Sequence, residues 1–343
     1  MEQESLTAFL LLSCIKNARD PTVPLQTIEK GRLDMIRYII RRILFLIPVL
    51  VGVAFCVFLL LYLTPGDPAK MVLGDQATES AIQEFREKEG LNDPFWVRFG
   101  TYLYKIVFHG DLGKSYSSRS PVMKELLAAF PATLKLGGFA ITIAILIGIP
   151  CGIISAIKQY SIFDTLTMIF AMIGLSMPVF WLGLLLILFF SVRLRWLPSS
   201  GFSTFKAMIL PSVALSAQSI SMITRMTRSS MLEVIRADYI RTVRAKGQTE
   251  RVIIWNHALR NALLPVVTLC GLQFGHLMSG ALLTESIFAV PGLGRLMVTS
   301  IMARDYPMVQ GAVLFIASAI SVVNLMVDIL YAYVDPRIKA QYK

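Results

Sequence analysis

Long stretches without a charged residue limit what this sequence can fold into more than any other feature. Six such stretches are present, and the shortest has 18 residues. An α-helix rises 1.5 Å per residue, so about 20 residues cross a hydrocarbon core of roughly 30 Å. The sequence therefore predicts an all-α membrane protein with six transmembrane helices, in the stretches 43–66, 136–157, 165–192, 207–224, 261–284 and 306–327.

The charge distribution indicates a lipid bilayer as the partner and excludes nucleic acid. The net charge is +11, but only 16% of the residues are charged and 55% are hydrophobic. Lys and Arg lie at the ends of the apolar stretches, and no polar face combines them with aromatic residues. Basic residues concentrate in alternate connections, so the positive-inside rule predicts that both termini are cytoplasmic.

This pattern divides the chain into five parts. Residues 1–34 begin with acidic residues and are expected to be a disordered extension. The first span follows in 35–66, and 67–131 form an extracytoplasmic segment with some folded structure. Residues 132–334 contain the other five helices, and 335–343 are a cytoplasmic tail.

The chain lacks a recognisable energy-coupling site of its own. Gly110–Ser115 ends in Gly-Lys-Ser, but a phosphate-binding loop needs four residues between its glycines and here there are two. His276 is the only mid-span ionisable residue, whereas ion-coupled carriers usually place a carboxylate near the midplane. The four cysteines and three histidines have no metal-ligand spacing. We therefore predict no cofactor, no metal site and no enzymatic activity in this chain.

A charged segment interrupts the apolar stretches. Arg225 to Arg260 contains eight Lys or Arg and three acids. Ile235, Tyr239 and Val243 are four residues apart, so they are expected to share one face of a helix. Gly247 permits a positive φ where one helix ends and another begins. The segment is expected to form two short amphipathic helices that lie on the membrane surface or dock into a partner.

The order of residues in this segment resembles the EAA loop of ABC importer permeases. A short helix, Gly247 and a stretch of nine residues follow that pattern, but Arg241-Thr242-Val243 stands where Glu-Ala-Ala is usual and Arg260 replaces a proline. Both departures are similar to the dipeptide, oligopeptide and nickel branch of the family. The motifs in 291–296, 304–307 and 335–337 match that branch as well.

The resemblance implies a type I ABC importer permease fold in a bacterial inner membrane, with a cytoplasmic coupling helix in an EAA-type loop, residues 229–260. It also implies three kinds of partner: a second, similar permease, two ABC ATPase subunits that bind ATP and Mg²⁺, and an extracytoplasmic solute-binding protein. The residues expected to couple the chain to the ATPase are Tyr239, Arg241, Val243, Arg244, Ala245, Lys246 and Gly247.

Polar residues within the spans are candidates for lining the solute path. They are Gln218, Gln273, His276, Ser279 and Asn324. Di- or oligopeptide import is the first hypothesis, and import of nickel or a metal chelate, weakly suggested by His276, is the second. A secondary carrier or free-standing channel is a third hypothesis, from a different class of transporter, and co-purification with an ATPase would exclude it.

Overall fold

The computed structural model describes residues 25–74 and 77–334, and within these ranges the chain is helical and contains no β-strand. The helices are α1 (Leu25–Leu63), α2 (Pro68–Leu73), α3 (Glu79–Lys88), α4 (Phe95–His109), α5 (Val122–Ile157), α6 (Ile162–Ser176), α7 (Val179–Leu186), α8 (Phe205–Ile235), α9 (Asp238–Ala245), α10 (Glu250–Val252), α11 (Leu259–Ile287), α12 (Leu293–Met302) and α13 (Tyr306–Val334). Two π-helical segments, Ile187–Arg193 and Ile253–Ala258, continue α7 and α10.

Helices α5 and α8 form the centre of the bundle and run parallel. A Cβ atom at Gly152 would lie 2.5 Å from Cβ of Thr227, so only glycine permits this close approach. Ile153 and Met231 share one hydrophobic cluster, at what we call the loop end of the bundle. Leu136 and Leu210 share another cluster, at the opposite end. Because the two helices are parallel, the chain between them must cross the layer.

That crossing is made by a bent pair of helices, α6 and α7, at 105° to each other. Asp164 at the start of α6 binds Arg228 at the loop end, whereas Phe190, beyond α7, packs in the cluster of Leu210. The prediction of one continuous helix over 165–192 is wrong. Met177 is extended, with ψ 124°, because a following proline disfavours helical geometry at the residue before it.

Three further helices complete six crossings of the layer. Helix α11 begins at the loop end, where Ala262 packs near Met231, and Leu277 packs with Leu210 at the opposite end. Helix α13 returns beside it, and α1 packs along α13. Five long apolar helices and the bent pair therefore give the six predicted spans. The apolar end of α1 and the N-terminus of α13 both lie at the opposite end.

The first helix starts earlier than expected. Helix α1 begins at Leu25, within the extension expected over 1–34. No proline occurs between Leu25 and Pro48, and nothing in this part of the sequence forces a helix to stop. Residues 1–24 and the predicted tail, 335–343, lie outside the described residues.

The glycine-lysine-serine loop at the opposite end has a structural role. Asp305 is 1% exposed and accepts hydrogen bonds from Ser115 Oγ at 2.5 Å and from the backbone N–H groups of Tyr116 and Ser117, both at 3.1 Å. These N–H groups already have a carboxylate partner, and they tie the segment between α4 and α5 to the start of α13. The loop therefore binds a carboxylate of its own chain, and its spacing is not that of a phosphate-binding loop.

An ion pair between α2 and α3, at the opposite end of the bundle, is expected to make the stability of these helices depend on pH. Asp67 caps α2 and binds Arg86 of α3. The hydrogen bond from Arg86 lowers the pKa of Asp67. A lowered pKa means that the pair stabilises the fold above the unfolded value of about 3.9 and stops doing so as pH falls through the folded value. We expect the protection of α2 and α3 against amide exchange, corrected for the intrinsic exchange rate at each pH, to fall as the pH falls through the folded pKa of Asp67, and a flatter pH dependence in Arg86→Gln. An unchanged slope in that variant would refute the assignment.

Candidate coupling surface

The EAA-type loop contains a break in the helix that the sequence pattern did not reveal. Helix α8 ends at Ile235, and Ala237 is extended with ψ 147° before α9 begins. Ile235 and Tyr239 therefore lie on different helices. The predicted single stripe of Ile235, Tyr239 and Val243 is wrong for this reason.

Ile240 is the residue that attaches α9 to the bundle. Its side chain is fully buried in a cluster with Ile153 of α5, Met231 of α8 and Ile253. Val243, one turn later on the same face of α9, packs against this cluster. Burying a side chain of this size contributes about 1.5–3 kcal/mol. The ends of three bundle helices and the short helix α9 thus form one packed unit.

Gly247 makes the turn between the two halves of the loop. Its φ is +79°, in the left-handed region that glycine adopts without steric cost, and its N–H donates to the carbonyl oxygen of Arg244 at 3.0 Å. Arg244 also pairs with Glu250 of α10, with Nε and Oε1 2.5 Å apart. The exposed ion pair thus spans the turn that Gly247 allows, and Arg244 already has an acidic partner within the chain.

The outward surface of α9 consists of the residues on the side away from Ile240. Arg241, Ala245 and Lys246 are exposed there, and Gly247 follows them. Tyr239 is exposed at the flank, where its hydroxyl accepts a hydrogen bond from Nδ2 of Asn261 at 2.8 Å. Of the seven predicted coupling residues, only Val243 points into the hydrophobic cluster. The others are exposed; among them Arg241 lies 3.6 Å from Asp238 and Arg244 pairs with Glu250, and Lys246 adds a third basic side chain to the same surface.

A buried ion pair next to this unit escaped the sequence analysis. Asp164 is 4% exposed and binds Arg228 through two hydrogen bonds of 2.7 and 2.8 Å. It also accepts from Ser155 Oγ and from the N–H of Tyr160 at 3.0 Å. The carboxylate thereby joins the end of α5, the start of α6 and α8. The two partners are 64 residues apart, so no local pattern indicated the pair.

A second buried carboxylate supports the opposite end. Glu285 is fully buried and accepts hydrogen bonds from the N–H groups of Gly294 at 2.7 Å and Arg295 at 3.3 Å, in the first turn of α12. A negative group is favourable at a helix N-terminus. A Cβ at Gly292 would lie 2.4 Å from the Glu285 carboxylate. The glycines of the 291–296 motif therefore make room for this side chain.

The five predicted path residues do not form one group. His276 and Ser279 are exposed on one face of α11, and Gln218 is half-buried on α8, which packs against α11. Gln273 is buried, and Asn324 of α13 lies so close to Gly275 that a Cβ there would meet its Oδ1 at 2.7 Å. The first three residues are accessible at the surface of the chain, whereas Gln273 and Asn324 contribute to helix packing.

Six membrane crossings make this chain a multi-pass membrane protein, and its family gives its class. The chain belongs to the family described as binding-protein-dependent transport system inner membrane component, which matches residues 148–340. The N-terminal part of the same transport system membrane component, which is described separately, matches residues 35–137. The predicted family and fold class are thereby confirmed.

Curated relatives and solved structures agree with this family. The dipeptide transport system permease protein DppB of Alkalihalophilus pseudofirmus is 45% identical and covers 89% of this chain and all of its own length. DppB of Escherichia coli strain K12 is 42% identical, and the glutathione transport system permease protein GsiC of Escherichia coli O6:H1 is 43% identical; each covers 89% of this chain and 99% of its own length. These relatives are permease proteins, so the prediction that this chain is not an enzyme is confirmed.

The fold also matches an inward-facing structure of the MetNI methionine ABC transporter. The TM-score is 0.52 at 22% identity, over 62% of this chain and 97% of the matched chain. At this level of identity the match concerns the fold alone.

Proposed function

We propose that this chain is one permease subunit of an ABC importer for dipeptides and other short peptides. The observation that carries the proposal is the attachment of α9 to α5 and α8 through Ile240, with basic residues on its outward surface. Relatives named for dipeptide and glutathione transport support a short peptide as the solute. The proposal places half of the solute path in this chain and the other half in a second, similar permease.

The proposed mechanism transmits motion through packing. Two separate ATPase subunits bind ATP and Mg²⁺, and one of them docks on the surface formed by Arg241, Ala245 and Lys246. When the ATPase pair closes, α9 moves with it, and the buried contacts of Ile240 carry the movement into α5 and α8. The ATPase can shift the permease only by binding its two states with different affinity.

The loop end faces the cytoplasm in this proposal, and both termini lie on that side of the inner membrane. An extracytoplasmic binding protein then delivers solute to the opposite end, where α2 to α4 and α12 are placed. Solute passes along the exposed face of α11, beside His276 and Ser279, with Gln218 on the neighbouring helix. Nickel remains the second candidate solute, although the described residues contain no group of three His, Cys, Asp or Glu that could hold a metal.

Uptake by the reconstituted system tests the proposal. The chain is placed in proteoliposomes with its partner permease, the ATPase subunits and the binding protein, and radiolabelled dipeptide and ⁶³Ni²⁺ are supplied separately. The proposal expects ATP-dependent accumulation of the dipeptide and none of nickel. ATP-dependent uptake of nickel without uptake of the dipeptide would show that nickel is the solute. Uptake by this chain alone would refute its role as one subunit of an ATP-driven importer.

Gly247→Asp is expected to separate hydrolysis from transport. At φ +79° a side chain is strained by about 1–2 kcal/mol, and a negative charge enters the basic docking surface. Nothing lies within 4 Å of the added Cβ, so the bundle itself stays packed. We expect normal membrane insertion, continued ATP hydrolysis and loss of uptake, measured in the same proteoliposomes. Gly110→Asp, also at positive φ (φ +61°, ψ 20°) with open space around it, is the matched control and should transport normally.

A further inference from the structure

Helix α4 presents an unusually apolar surface to the outside of the bundle. Trp96 is 70% exposed and Phe108 is 72% exposed, although both are large hydrophobic residues. Val97, Tyr104 and Val107 are also exposed and lie on the same side of the helix. We call these five residues the outer face of α4. A contiguous exposed apolar face of this kind marks a contact with a membrane or a partner.

The other two sides of α4 have different environments. Phe95 and Phe99 pack against Phe58 near the end of α1, with ring centroids 5.4 Å apart in each pair. Between this packed side and the outer face runs a polar edge with Arg98, Thr101 and Lys105. These three residues line a cavity of about 260 Å³ at the opposite end of the bundle. The helix thus has a protein-facing side, a water-facing edge and an apolar side that the described residues leave largely uncovered, Trp96 making the contact described next.

The position of α4 along α1 identifies what covers the outer face. The Trp96 ring stacks on Phe55 at 6.1 Å. Phe55 lies eight residues before Leu63, the last residue of α1, so at 1.5 Å per residue it is about 12 Å inside the apolar span. Leu60 and Leu63 of α1 are exposed around it, as expected for a lipid-facing surface. The outer face of α4 continues that surface.

We propose that α4 is inserted on its side into the bilayer leaflet at the opposite end, with its outer face among the acyl chains and its polar edge toward water. This adds a membrane contact to the extracytoplasmic segment with some folded structure that the sequence predicts for 67–131. Amphipathic helices of this type bury their apolar side at the boundary of headgroups and acyl chains. Exposed Trp and Tyr on α4 suit that boundary, because their rings are amphipathic.

Site-specific photo-crosslinking in native membranes tests this placement. A benzophenone amino acid replaces Phe108 or Val107 in the full chain, expressed with its partner subunits, and uptake is measured to verify assembly. After illumination, mass spectrometry of the isolated chain identifies the adduct. We expect phospholipid adducts at both positions. The same probe in place of Glu84, which is exposed on α3, is the control and should give no lipid adduct.

Other occupants give distinct results. A crosslink from both positions to the second permease or to the binding protein would overturn the proposal, since it would mean that protein covers the outer face. Absence of a lipid adduct in a transport-competent complex would also overturn it. Because these outcomes do not depend on the solute, a failure here leaves the proposed transport function unaffected.

Discussion

Ile240→Asp is expected to reduce ATP-driven uptake to background. The Ile240 side chain is fully buried between α9 and the ends of α5 and α8. Burying an unpaired carboxylate costs several kcal/mol, so the variant favours a state in which α9 leaves the cluster. Movement of the ATPase would then no longer reach the spans. The effect is measured as solute uptake and ATP hydrolysis in the same proteoliposomes. We expect uptake to be lost while ATP hydrolysis continues.

Two controls separate this effect from general damage. Ile240→Val keeps the contact and should cost only about 0.5–1.5 kcal/mol, leaving uptake close to that of the unmodified chain. Ile162→Asp makes the same chemical change at an exposed isoleucine near the same end of the bundle, and it should be tolerated. Full uptake by Ile240→Asp would show that α9 does not act through this contact.

Asp164→Ala is expected to destabilise the loop end of the bundle strongly. It leaves Arg228 partly buried without its carboxylate and removes the acceptor for Ser155 and Tyr160. Removal of one partner of a buried pair is strongly destabilising, and because Arg228 retains some exposure we expect about 3 kcal/mol, the lower end of the range. Thermal unfolding of the purified complex measures the loss.

The double variant Asp164→Leu with Arg228→Met distinguishes the ion pair from simple loss of packing. Apolar replacements of both partners leave no uncompensated charge and often restore stability. We expect the double variant to recover most of the stability lost in Asp164→Ala. If the double variant is at least as unstable as Asp164→Ala, then charge compensation between Asp164 and Arg228 is not what stabilises this region.

The sequence was sufficient for the features that depend on local composition. Six uncharged stretches predict six crossings because hydrophobic length is set by bilayer thickness. Gly247 was recognised because a helix that ends and restarts favours a residue free to adopt positive φ, and its φ is +79°. The glycine-lysine-serine loop was excluded as a nucleotide site by its spacing alone.

Features that depend on tertiary contacts were missed or misplaced. The stripe of Ile235, Tyr239 and Val243 assumed a continuous helix, whereas the break at Ala237 brings Ile240 inward instead. The Asp164–Arg228 pair joins elements that are distant in sequence, and the continuous third span ignored the effect of Pro178 on Met177. In α4, the apolar residues gave no indication of which side would face α1 and which would remain uncovered.

The most direct test of the account is a crosslink from the outward surface of α9. A benzophenone amino acid replaces Ala245, which is exposed beside Arg241 and Lys246, in the transport-competent complex; the same probe in place of Arg193, exposed beyond α7, is the control. We predict a crosslink to an ATPase subunit from position 245 whose yield changes when ATP is bound, and none from position 193. A complex that transports solute while position 245 never crosslinks to the ATPase would contradict the account.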